Sequence, residues 1–216
     1  ATGTTGEVGV SNSLLGSRSF DQIGYKITPL TNGNYVISSP DWTNGYTGSA
    51  GAVTFGNGAT GITGTVTITN SLVGTRSNEQ FGRNVTALTN GNYVVNSPGV
   101  GVGSNNLVGA VTWGNGATGV TGVVSTANSL VGTLTNDLVG FQGVVALSNG
   151  NYTVASGNWD NGVLVDAGAV TWGNGASGSV GTVGITNSLV GMYPNDYVGV
   201  NVVALSNGNY VVESPH

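Results

Sequence analysis

The chain has 216 residues, 38 % of them apolar and only 6 % charged, with nine acids against four bases for a net charge of −5. The apolar content is enough for a buried core, which excludes charge-driven disorder. The four bases (Arg18, Lys26, Arg76, Arg83) form no cluster that could replace phosphate counterions, which excludes nucleic acid.

No window holds the roughly 18 apolar residues of a membrane helix, so no membrane insertion is expected. Cysteine is absent, which removes disulfides and thiolate chemistry. The 39 glycines follow no triplet rule, so collagen is excluded, and they recur at fixed places as turn residues do.

One passage is written into the chain four times. Asn-Ser-Leu begins at Asn12, Asn70, Asn128 and Asn187, and Asn-Gly-Asn-Tyr ends at Tyr35, Tyr93, Tyr152 and Tyr210. Gly-Ala-Val-Thr followed by an aromatic occurs three times, from Gly51, Gly109 and Gly168. A fixed period of this size marks an array in which each unit buries its apolar face against its neighbours. The units fall at about 6–63, 64–121, 122–180 and a truncated 181–216 of a single repeat domain.

The second unit shows the predicted elements in chain order. Residues 82–88 alternate enough for a first strand, and Asn90-Gly91 then favours a tight hairpin, because both residues tolerate positive φ. Residues 93–97 are rich in β-formers and make a second strand, which Pro98 stops by removing an amide donor. After a loop, residues 109–113 form a third strand and Gly114-Asn115-Gly116 a turn. Residues 122–126 are the fourth, and Asn128-Ser129-Leu130 leads on to the next unit. No helical period survives the Gly and Asn content. The expectation is an all-β chain of four-stranded antiparallel meanders, arranged like propeller blades; a parallel β-helix solenoid is the alternative.

By this count the chain opens on a fourth strand at Glu7 to Val10, and the last unit lacks its third strand. Ser214-Pro215-His216 stands where Ser39-Pro40-Asp41-Trp42 stands in the first unit, so a segment of a longer array is expected.

Phe81-Gly82, Ala87-Leu88, Asn90-Gly91-Asn92-Tyr93-Val94-Val95, Ser97-Pro98 and Gly109-Ala110-Val111 together resemble the FG-GAP repeat of integrin-type propellers. The wider wording around Asn-Ser-Leu-Val-Gly and Gly-Ala-Val-Thr-Trp-Gly-Asn-Gly is similar to repeats of large bacterial surface proteins of filamentous-haemagglutinin-like type. The resemblance implies a blade fold and a secreted or cell-surface location. FG-GAP repeats often bind calcium between the first two strands. Here that loop is Thr31-Asn32-Gly33-Asn34, without a carboxylate, and no cofactor or metal is expected.

The only histidine is the terminal His216, and no nucleophile–base pair or metal-type cluster can be assembled around it, so an enzyme is not expected. Two other constellations stand out. Asp21, Glu79, Asp137 and Asp196 recur at one position before the first strand. They would form either a ring of carboxylates for cations or, the favoured reading, turn caps accepting backbone N–H bonds. Asp41, Trp42, Asn44 and Tyr46, with Asn158, Trp159, Asp160, Asn161 and Asp166, put indole faces beside amides and carboxylates, as sugar recognition would require. The competing and preferred reading is that each Trp covers the blade. Phe55, Trp113 and Trp172 read as packing between units.

The function expected is a non-enzymatic structural or adhesive module that presents variable loops for weak multivalent binding. Its partners would be surface glycans or other copies of itself. A lectin-like propeller and a self-assembling filament subunit are the alternatives.

Overall fold

A computed structural model describes residues 4–215, leaving His216 outside. The described chain is all β, with no helix. It opens with β1 (Leu14–Leu15) and then runs through one cycle three times. The first cycle is β2 (Lys26–Pro29), β3 (Tyr35–Ser39), β4 (Ala52–Gly56), β5 (Gly64–Thr65) and β6 (Ser71–Val73). The second is β7 (Asn84–Ala87), β8 (Tyr93–Ser97), β9 (Ala110–Gly114), β10 (Gly122–Val123) and β11 (Leu130–Val131). The third is β12 (Gly143–Ala146), β13 (Tyr152–Ser156), β14 (Ala169–Gly173), β15 (Gly181–Thr182) and β16 (Ser188–Val190). A last hairpin, β17 (Asn201–Ala204) and β18 (Tyr210–Glu213), follows.

The first three strands of each cycle pair as expected. In the second cycle Ala87 stands opposite Tyr93 across the Asn-Gly hairpin, and Tyr93 opposite Gly114 on the next strand. That last pairing fixes a residue type. The Tyr93 ring lies over Gly114, where a β-carbon would overlap it.

The fourth strand is not the expected one. Residues 122–126 do not continue the meander; β10 crosses back and pairs in parallel with β6 of the preceding cycle. β5 does the same to β1, and β15 to β11. The fourth antiparallel strand is the Asn-Ser-Leu segment itself, with Leu130 opposite Val111. Asn128 is the cause. Its Oδ1 accepts the Ser125 N–H and the Ser129 hydroxyl while its Nδ2 donates to the Val123 carbonyl, which reverses the chain within a few residues. Asn12, Asn70 and Asn187 make the same clamp. Ser129 then shares a buried hydrogen bond of 2.7 Å with Thr112 of β9, which explains why Ser and Thr recur in both motifs. Glu7 to Val10 forms no strand and is held as a turn by Asn12.

The core lies between the sheets, not within them. One apolar cluster joins Val36, Val53 and Leu72 of the first cycle to Phe81, Val85, Tyr93 and Val131 of the second. Another joins Val94, Val111 and Leu130 to Tyr152, Val154 and Val183. The initial strands follow one another in contact, β2 on β7, β7 on β12 and β12 on β17. The hairpin tips are stitched by hydrogen bonds from Thr31 to Thr89, Thr89 to Ser148 and Ser148 to Ser206. Trp113 donates its indole N–H to Gly175 of the next cycle, and Phe55 packs against Gly119. Trp172 departs from the expected inter-unit packing and is 43 % exposed, since the described residues hold no fourth copy of that turn.

The hydroxyl pair gives a direct test. Ser129→Ala leaves the buried Thr112 hydroxyl without its partner and is expected to cost about 1–3 kcal/mol, with Thr112→Val/Ser129→Ala recovering much of that loss. Urea unfolding of the two single variants and the double variant measures it.

Candidate functional site

The loop before the first strand and the loop between the second and third strands meet at one end of the unit, and Asp21, Glu79 and Asp137 each join them. Asp21 accepts the N–H groups of Ser17 and Arg18 on Oδ2 and that of Thr43 on Oδ1, at 2.8, 2.9 and 3.0 Å. Glu79 accepts those of Thr75, Arg76 and Gly101. Asp137 accepts those of Thr133, Leu134 and Asp160. Asp196 accepts two, from Met192 and Tyr193.

The four acids are therefore occupied as turn caps. Among the described residues no group of three or more His, Cys, Asp or Glu side chains could hold a metal ion. Burial pushes the Asp137 carboxyl above the usual range, the nearby Asp160 charge adds to this, and the three N–H donors oppose it.

The residues on either side of each acid adopt positive φ without being glycine: Phe20 and Gln22, Asn78 and Gln80, Asn136 and Leu138, Asn195 and Tyr197. Such backbone is costly for an L-residue and persists only where its surroundings hold it. Here the carboxylate bonds and the cross-unit pairing hold it, as where Leu138 N–H donates to the Leu107 carbonyl.

The tryptophan constellation divides. Trp42 and Trp159 are each only 4 % exposed and belong to apolar clusters, so their faces are closed to stacking on a ligand. Asn44 and Asn161 donate to the carbonyls of Gly74 and Gly191 and tie the loop to the strand-exchange segment. Asp41 accepts the Gln80 amide. In the third unit Asn158 donates to Asp166 and accepts from Gln142, while Asp160 accepts the Asp166 N–H. Only Tyr46 stands clear, 98 % exposed at a loop tip, with the Arg18 guanidinium 5.4 Å from its ring centroid.

Other exposed side chains at this end were not singled out by the sequence. Val163 and Ser104 occupy the tip position of Tyr46, following Gly162 and Gly103 as Tyr46 follows Gly45. Phe20, Tyr25 and Phe141 are exposed in the adjoining loop. Their signal was present in the repeat: these positions change between copies while the flanking Gly, Asn and acid positions are largely held.

Two substitutions separate structure from recognition. Asp137→Ala removes a buried carboxylate and strands three part-buried N–H donors, and is expected to cost about 2–4 kcal/mol, against about 1 for Asp196→Ala with its two exposed ones, read by chemical denaturation. Trp159→Ala is expected to destabilise the chain by about 3–5 kcal/mol, as core truncations do; a fully stable variant would mean that the ring is not part of the core.

The repeat of unknown function DUF5650 matches residues 1–25, 29–83, 87–141, 146–200 and 204–216. No curated protein matches the chain. After the first, each matched segment begins on the last residue of a first strand, at Pro29, Ala87, Ala146 and Ala204, so the family's repeat starts at the Asn-Gly hairpin. With the match running over most of its length, the chain belongs to the DUF5650 repeat family.

Proposed function

We propose that the chain is a non-enzymatic adhesive and scaffolding module of a secreted or cell-surface protein, built of propeller-like blades that present variable loop tips. The observation that carries this is the contrast at one end of the repeat. Framework positions such as the Asn-Ser-Leu clamp and the turn-capping acid recur with like bonds from copy to copy, whereas the tips set on that framework are Tyr46, Ser104 and Val163, all exposed and chemically unlike. A rigid scaffold with changeable loops is the arrangement that binding surfaces use. Contact of each first strand with the next, β2 to β7 to β12 to β17, and the antiparallel pairing of four strands within each full cycle support the blade reading over a β-helix.

The partners proposed are surface glycans or other copies of the chain. Aromatic side chains free at the loop end (Phe20, Tyr25, Tyr46 and Phe141) offer stacking faces for sugar rings. Each contact is weak alone, and the repeated array gains strength from simultaneous engagement.

The test is binding of bead-displayed chain to immobilised neutral and acidic oligosaccharides. Display is expected to raise apparent affinity by about 10²–10⁴ over the free chain. Tyr46→Ala/Phe141→Ala should lose most of that retention while unfolding at the same denaturant concentration. Undiminished retention by this variant would overturn the reading.

A further inference from the structure

The second unit differs from its neighbours where the two loops meet. A cleft of about 290 Å³ opens between the loop preceding β7 and the end of β8, with Asn78, Glu79, Arg83 and Asn84 on one side and Pro98 and Gly99 on the other. A smaller hollow of about 180 Å³ adjoins it and shares Asn78, Glu79 and Gly99. Together they approach the size of an ordinary small-ligand site.

The third unit closes this place with its own side chains. In the third unit Gln142 lies across it. Its Oε1 accepts the Gly157 N–H and its Nε2 donates to Asn158 Oδ1. In the first, Asp41 occupies the position of Gly99 and accepts the amide of Gln80, a residue of the second unit that itself lines the cleft. The second unit has proline, with no N–H, where the third has Gly157, and glycine where the third has Asn158. A planar amide with an acceptor and a donor is thus what the fold seats in the third unit, and the second leaves the place open.

The walls define what would enter. Arg83 is exposed, and among the described residues no hydrogen bond or ion pair holds its guanidinium. A guanidinium offers paired N–H donors matched to a carboxylate. Glu79 also lines the cleft and keeps its charge, but both its oxygens are engaged by three backbone N–H groups and leave the ligand's carboxylate to Arg83. Asn78 and Asn84 add exposed amides that can both donate to and accept from hydroxyls.

We propose that this cleft is a binding site for a carboxylated sugar, a single hexuronic acid residue, with Arg83 taking the carboxylate and Asn78 and Asn84 the hydroxyls. It is one defined site in one unit, distinct from the weak contacts of the exposed loop tips.

Titration of the isotope-labelled chain with glucuronate, followed by backbone amide NMR, tests it, with glucose as the neutral control. Glucuronate is expected to shift the amides of Arg83, Asn84 and Gly99 with a Kd of about 1–10 mM, and glucose to leave them unmoved. Arg83→Gln should weaken binding at least about fivefold, a loss of about 1 kcal/mol. Gly99→Asn rebuilds the third unit's side chain, and its β-carbon would meet only the Glu79 carbonyl at 3.7 Å, so the chain should fold normally and bind no glucuronate. Lys26→Gln serves as the charge control and should bind as the parent does. Equal shifts with glucose, shifts lying outside the cleft, absence of any shift, or unchanged binding by Arg83→Gln would each overturn the proposal.

Discussion

Each sheet in this chain is too small to bury its own faces, and the structure follows from that constraint. Strands of two to five residues leave no room for a private core. Tyr93 and the Val residues of β8 are covered because the next and preceding cycles lie against them. Bringing sheets so close also brings polar backbone into the interior, where unpaired groups are costly. With so few charged residues available, the chain meets that demand with asparagine amides, Ser–Thr hydroxyl pairs and one carboxylate per unit. Asn90 and Asn92, for example, both donate to the carbonyl of Gly175 in the next cycle. Recurring motif residues are thus joints between units more often than surface decoration.

Much of this was legible from the sequence, and the reasons are specific. Asn-Gly hairpins announce their geometry locally, since positive φ is a property of the two residues themselves, and β7 and β8 stand where the pattern puts them. Turn capping by the repeated acid was legible for the same reason, because a short carboxylate bonds to nearby backbone. The fourth strand was not. Leu130-Val131 follows the loop-like Asn128-Ser129, and its strand character comes from pairing with Val111 and Ala110, some twenty residues earlier in the chain. The parallel return of β10 to β6 depends on a partner some fifty residues away, which no local pattern encodes. Trp42 and Trp159 were ambiguous because a ring suits a core as well as a sugar, and only burial separates the two.

The loop end shows how variation is tolerated. Asp21, Glu79 and Asp137 each bind backbone N–H groups, which any residue but proline supplies, and so hold the loop shape without constraining neighbouring side chains. Phe20, Asn78 and Asn136 can then follow one another at the same left-handed position. Where a framework side chain is dropped, as at Gly99, the loops keep their course and a cleft opens beneath them. Surface chemistry and scaffold stability are for this reason largely separable in this chain.

The backward crossing of β5, β10 and β15 bears on how such a chain can grow. Because every cycle lends two residues to the sheet before it, no cut through the sequence isolates a self-sufficient block. A duplication that inserts one whole period, however, restores every lent strand to an equivalent host wherever the break falls. Gene lengthening by unequal recombination is thereby harmless at any phase, provided the inserted length is a full period, while a partial insertion would orphan a strand in two sheets at once.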